Sequence, residues 1–287
     1  MNPFESVSAL EDAKPLDRLV GPVREGVRSL LGGGIVRDAL HGVWLGHPLH
    51  PVLVQVPIGA FTSAAILDSL PVDDSAASAL IATGIVSTVP AAAAGLADWS
   101  EMHEQQQRVG LIHAAANTVA LLMYGASLAA RRGGHTGRGK AWSYAGLGVL
   151  SFSGFLGGHL AYRQAAGANH AEAVPHLIKP GWQDLCALDD LEADGVPQHM
   201  TLNSVELVVV RRGERIDVLS DRCSHLSGPL HEGTVSQDGA CITCPWHGSM
   251  FSLEDGSVRR GPATAPQHAF DVRVESGRLE VRLPGAG

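Results

Sequence analysis

The chain has 287 residues, long enough for two domains of ordinary size. Its net charge of −8 and scattered Lys and Arg argue against a nucleic-acid partner. Mean hydropathy is slightly positive, and the composition changes near residue 164. Before that point long stretches carry no charge, whereas beyond it charges recur every few residues, so two solvents are implied.

Residues 1–46 read as an amphipathic N-terminal segment. Leu16, Leu19, Val20, Val23, Val27, Leu30 and Leu31 recur at helical spacing, Lys14, Arg18, Arg24 and Arg28 lie off that stripe, and Gly32-Gly33-Gly34 ends the pattern. Such a helix lies at a membrane interface or packs on its own domain. No secretory signal is recognisable in Met1 to Leu40.

Residues 47–163 contain four segments without Asp, Glu, Lys or Arg: Pro48–Leu67, Ser75–Ala97, Val109–Ala130 and Ala141–Tyr162. Each approaches the roughly 20 residues that a helix needs to cross the hydrocarbon layer. Their short connections suit an antiparallel four-helix transmembrane bundle, and their many small residues suit close helix approach in lipid. A soluble Ala-rich bundle is the competing reading, but it would carry charges on its outer face at every turn.

In that bundle His50, His113 and His159 fall at similar depth, with His47, Asp98 and Trp99 at the same level. Ionisable groups there are costly and usually functional. These three imidazoles either hold a redox cofactor, haem b or a quinone, or hydrogen-bond helix ends and headgroups. His103 and His135 lie in the connecting loops. His47-Pro48-Leu49-His50-Pro51, Pro57-Ile58-Gly59, Ala94–Trp99 and Gly157–Arg163 resemble a bacterial family of four-helix membrane domains without an assigned function. That resemblance covers about residues 44–165.

Residues 164–179 lack long periodicity and read as a linker, free to swing or to dock. The remainder, 180–287, alternates in short runs between Gly, Asp and Pro turns, an all-β pattern. Two boxes stand out there: Cys223-Ser224-His225 and Cys244-Pro245-Trp246-His247. A [2Fe–2S] cluster takes four protein ligands, two per iron, and two mixed boxes can give Cys223 and Cys244 to one iron and His225 and His247 to the other. Tetrahedral zinc is the alternative for two Cys and two His, although zinc fingers pair like with like.

The boxes, with Leu230, Gly248–Phe251 and Gly261-Pro262-Ala263, resemble the Rieske family over about residues 180–284. The resemblance implies a [2Fe–2S] cluster covered by a third loop, and a protein that moves single electrons. Gly228 and Trp246 stand where respiratory-complex relatives carry a disulfide between the loops, and Phe251 where they carry a tyrosine that bonds a cysteine sulfur. Ser249 remains as a donor to sulfur. Fewer such bonds place the potential in the lower half of a range of about −150 to +300 mV. Cys186 and Cys241 read as core residues, and His231 and His268 as surface or loop residues.

No nucleophile, base or substrate pocket is recognisable, and no room is left for an oxygenase's mononuclear iron domain. The expected function is one-electron transfer by a membrane-anchored Rieske protein to or from a redox partner protein, or a haem or quinone in the bundle. A quinol-oxidising module, with His225 or His247 taking the proton, and a redox sensor are the alternatives. The expected place is the cell membrane, multi-pass among lipid, with homo-oligomers allowed. The missing loop disulfide and leader favour a cytoplasmic β domain, whereas Arg131, Arg132, Arg138 and Lys140, in the loop between the third and fourth segments, argue for the other side.

Overall fold

The computed structural model describes residues 3–285 of the chain, and their side chains from residue 7. Nine α-helices occur among these residues: α1 (Pro3–Glu11), α2 (Asp17–Leu31), α3 (Ile35–His41), α4 (His50–Leu53), α5 (Gln55–Asp68), α6 (Asp74–Trp99), α7 (Glu104–Arg132), α8 (Thr136–Gly158) and α9 (Val174–Leu177). Two compact units result, one from residues up to 33 with 48–166, the other from 34–47 with 167–287. Residues 34–46, read from sequence as part of the N-terminal segment, and His47, read as the start of the helical bundle, thus group with the β unit, as does most of the expected linker.

In the helical unit, α6 starts at an Asp73 side chain that accepts the Ser75 N–H, and α7 starts where Gln106 Oε1 accepts the His103 N–H. Phe61, Ala64, Ala77, Ile81, Ala120 and Tyr124 form the centre, with the Phe61 and Tyr124 rings stacked 3.8 Å apart. A Cβ at Gly84 would lie 2.5 Å from the Phe61 ring, so this glycine lets the aromatic pair seat against α6. Val56, Val86 and Leu122 instead face outward, an apolar exterior that suits lipid.

Three helices are long and apolar enough to cross a membrane: His50–Asp68, Asp74–Trp99 and Glu104–Arg132. The fourth expected segment is helical as α8, but Gly, Ser, Trp and Tyr residues dilute its apolar character. It then passes into a π-helical turn, His159–Arg163.

Charges sit at both ends of α7. Arg131 lies within the helix, not in the following loop, and its guanidinium is buried between Asp68 at 2.6 Å and Asp74. Arg131, read from sequence as a loop charge, is instead a buried helical one, which leaves fewer free positive charges to mark that loop as cytoplasmic. Near the other end, Arg108 bonds Asp17 at 2.6 and 2.8 Å and the Glu11 carbonyl at 2.7 Å. The N-terminal helices therefore pack on their own unit: Val20 and Val27 of α2 are buried with Trp99, and Arg28 pairs with Glu101 at 2.9 Å. Leu19 and Leu30 stay exposed, leaving part of the apolar stripe for an interface.

The β unit has ten strands: β1 (Gln183–Ala187), β2 (Asp194–Leu202), β3 (Val205–Arg212), β4 (Arg215–Ser220), β5 (Thr234–Val235), β6 (Cys241–Thr243), β7 (Met250–Ser252), β8 (Val258–Arg260), β9 (Asp271–Glu275) and β10 (Arg278–Arg282). They form antiparallel sheets in the orders β1-β10-β9, β2-β3-β4 and β5-β6-β7-β8. The strand β3 is buried on both faces and supplies two cores. Leu207 and Val209 pack with Ile216, Phe270, Leu279 and Val281, while Val208 and Val210 pack with Leu219, Ile242, Phe251 and the two box cysteines. Val174 and Ile178 join the first of these cores, so the end of the expected linker is packed rather than loose.

Candidate metal centre

The two boxes occupy matching loops, one after β4 and the other between β6 and β7. In the first, the Cys223 N–H donates to the Gly228 carbonyl at 2.9 Å and the Ser227 N–H to the Cys223 carbonyl at 2.8 Å. In the second, the Cys244 N–H donates to Ser249 and the Gly248 N–H to Cys244, at 2.8 and 3.2 Å. The reversal falls on Ser227 (φ +61°) and Gly248 (φ +75°). Each loop thereby wraps its own sulfur: the N–H groups of His225 and Leu226 point at Cys223 Sγ, and those of Trp246 and His247 at Cys244 Sγ.

The loops bring all four expected residues together. Cys223 and Cys244 are buried and hydrogen-bonded to each other, whereas His225 and His247 are partly exposed with ring centroids 5.0 Å apart. The bond to Cys244, and then burial, push the Cys223 thiol well above its usual value. That same bond, helped by the Trp246 and His247 N–H groups, brings Cys244 down to about 7 against its burial. The Trp246 and His247 N–H groups thus favour negative charge on the Cys244 sulfur. Burial raises the Cys186 and Cys241 thiols, as befits core residues on β1 and β6, and none of the four cysteines forms a disulfide.

Gly228 and Trp246, read from sequence as leaving the loops without a disulfide, bring them together by close packing. A Cβ at 228 would lie 2.8 Å from Cys244 Sγ and 3.2 Å from the indole of Trp246. Gly228→Ala should therefore spread the loops, cost about 1–3 kcal/mol and lower the iron content of purified protein. Unchanged iron and thermal midpoint would contradict this packing role.

A third loop, Gly261-Pro262-Ala263, is bound to the other two. Ser249, fully buried, accepts the Ala263 N–H on its Oγ at 2.9 Å, and Ser224 Oγ donates to the Ala265 carbonyl at 2.7 Å. Ser249 is thus anchored between loops. Phe251 is buried on β7, its ring without the hydroxyl of a tyrosine.

Sequence reading missed two supports of this site. Asp38 of α3 accepts the Gly261 N–H at 2.9 Å, and a Cβ at 261 would lie 3.0 Å from Val43. The N-terminal segment therefore pins the third loop, from 223 positions away in sequence. The other support is His170, whose N–H donates to the Ser224 carbonyl at 2.9 Å. His268, expected at the surface, is half-buried and bonds the Ala171 carbonyl at 3.1 Å through Nε2. His231 likewise lies against the buried Asp221.

In the helical unit His50 and His113 meet edge to face, centroids 6.5 Å apart. Each donates from Nδ1 to a carbonyl of a neighbouring helix, Ala91 and Ser153, both at 2.8 Å, and Asn117 donates to His113 Nε2 at 3.1 Å. His159 bonds Glu11 instead, at 2.7 Å. Hydrogen bonding across helices accounts for all three placements.

Two thiols inside and two imidazoles outside, on loops that differ little in backbone path, suit a diiron centre with unlike irons better than a single tetrahedral ion. Residues 181–275 match the Rieske [2Fe-2S] domain, and residues 46–170 match the family described as predicted membrane protein (DUF2231). The chain is 32% identical over 100 residues to ferredoxin CarAc of Metapseudomonas resinovorans, covering 35% of this chain and 92% of that protein. The anthranilate 1,2-dioxygenase ferredoxin subunit of Burkholderia cepacia is 30% identical over 102 residues, covering 36% of this chain and 92% of its own. The solved ferredoxin of carbazole 1,9a-dioxygenase from Nocardioides aromaticivorans IC177 is 29% identical, with 36% of this chain and 97% of its own aligned at a TM-score of 0.34. The chain belongs to the Rieske [2Fe–2S] family, whose domain implies a [2Fe–2S] cluster, and carries a predicted membrane protein domain ahead of it.

Proposed function

We propose that the protein is a membrane-anchored one-electron carrier, with Cys223 and Cys244 holding one iron of a [2Fe–2S] cluster and His225 and His247 the other. The observation that carries this reading is the convergence of two buried, N–H-wrapped sulfurs and two partly exposed imidazoles on matching loops. The cluster supplies storage of one electron when bound. The backbone N–H groups stabilise negative sulfur, burial keeps water from the thiolates, and the imidazole edge is the side a partner can approach. Trp246, half-exposed beside His247, widens that edge. The Burkholderia cepacia relative is named as the ferredoxin subunit of a dioxygenase, so a redox partner protein docking on this edge is the reading we favour. The apolar helices hold the carrier at a membrane.

Reductive titration of the purified full-length protein, followed by EPR, tests this reading. One paramagnetic centre per chain is expected, with a midpoint in the lower half of about −150 to +300 mV. Phe251 offers no hydroxyl to sulfur, which leaves Ser249 and backbone groups as donors. Zinc in place of iron and sulfide would overturn the function, and a midpoint near the top of that range would overturn the account of its tuning.

A haem b between His50 and His113 has one supporting observation, their facing rings. It would require His113 Nε2 to give up the Asn117 amide. A pyridine haemochrome spectrum of the purified chain decides it, and its absence removes the haem.

A further inference from the structure

A second cluster of ligating side chains lies in the β unit, apart from the four box residues. His199 stands on β2 opposite Val208, exposed to solvent. Asp221 follows β4 and is 1% exposed. His231 sits in the short 3₁₀ turn Leu230–Glu232, its side chain 28% exposed. One ligating atom from each of the three lies within 4.8 Å of the others. We propose that His199 and His231, the latter oriented by Asp221, form a binding site for a divalent transition-metal ion of the zinc class.

The hydrogen bonds prepare the imidazole for this role. Asp221 Oδ1 accepts the backbone N–H of His231, and Oδ2 accepts from its Nδ1, both at 2.7 Å. The ring is thereby fixed as the tautomer with a lone pair on Nε2. This is the carboxylate–histidine arrangement that orients and strengthens imidazole ligands in metal sites. The His199 ring stands 4.6 Å from that of His231, tilted by 44°. Two imidazoles this close can both donate to one cation. Two imidazoles completed by water are a donor set that zinc accepts. The buried carboxylate supplies negative charge, and the exposed His199 leaves an entry path.

Position gives the site a consequence. Asp221 precedes the first cluster loop and His231 follows it, and the Asp221 carbonyl accepts the Leu230 N–H at 2.9 Å between them. An ion shared with His199 would tie β2 to both ends of that loop. The site stands independently of what the boxes hold, because it shares no ligand with them.

Equilibrium dialysis of the cluster-loaded, full-length protein against Zn²⁺, in detergent, tests the proposal. Wild type is expected to bind one zinc per chain at micromolar concentration beyond any metal in the boxes. His199→Ala and His231→Ala should each weaken that binding at least tenfold, while His176→Ala, an exposed histidine elsewhere, leaves it unchanged. Should His231→Ala fail to keep its cluster, His199→Ala decides alone, since an exposed strand side chain can be truncated without disturbing the core. Equal affinity in wild type and His199→Ala, or no zinc bound by cluster-loaded wild type, overturns the proposal.

Discussion

Cys223→Ser and Cys244→Ser should each lower bound iron and acid-labile sulfide to below about a tenth of wild type, because a diiron cluster with two protein ligands per iron does not survive loss of one thiolate. The substitution is nearly isosteric, so the expected loss is of ligation, not of packing. Both sulfurs are buried and each is aimed at by two backbone N–H groups. A serine hydroxyl would stay neutral there and leave the partner iron short of charge. Cys186→Ser and Cys241→Ser provide the control: those thiols lie on β1 and β6, and their variants should keep iron and the reduced-state EPR signal. Iron analysis and EPR of all four variants give the answer. Full iron in Cys223→Ser would sink the ligand assignment.

The largest effect expected in the helical unit comes from Asp68→Ala. Arg131 and Asp68 have side chains only 2% and 1% exposed, and they meet at 2.6 Å near the ends of α7 and α5. Removing the carboxylate leaves a buried guanidinium with Asp74 as its remaining charged partner and the Ser127 hydroxyl beside it. Breaking one partner of such a pair costs about 3–5 kcal/mol, and the remaining Asp74 places this case toward the lower value. Thermal unfolding of the helical signal by circular dichroism in detergent should show a clearly lower midpoint. Replacing both partners, Asp68→Leu with Arg131→Met, should recover much of the loss, since no buried charge then remains. A midpoint for Asp68→Ala equal to wild type would show that the guanidinium finds water instead.

The elements that could be read without coordinates share one property: their cause is local. Charge-free runs announced α5, α6 and α7, because a helix in lipid has to be apolar along its own length. Alternation announced β3, β4, β9 and β10. By contrast β2 carries Gly195, Pro197 and a polar stretch through His199, and it is a strand because β3 pairs with it, with a register shift between Asp194 and Pro197. The fourth helix formed as expected, yet its glycines and serines leave it short of the apolar character of the other three.

For the site, the four box residues and the third loop could be read from local pattern. Ligand and loop are neighbours in the chain, and mixed Cys/His spacing has few uses. The partners that come from elsewhere emerged with the packing: Asp38 on the Gly261 amide, His170 on the Ser224 carbonyl, the Ala91 and Ser153 carbonyls that occupy His50 and His113, and His199 beside His231. Each is a contact between chain segments whose separation no periodicity or spacing rule encodes. A buried polar group has to find a partner wherever folding brings one near, and that place is fixed by packing rather than by the neighbouring residues.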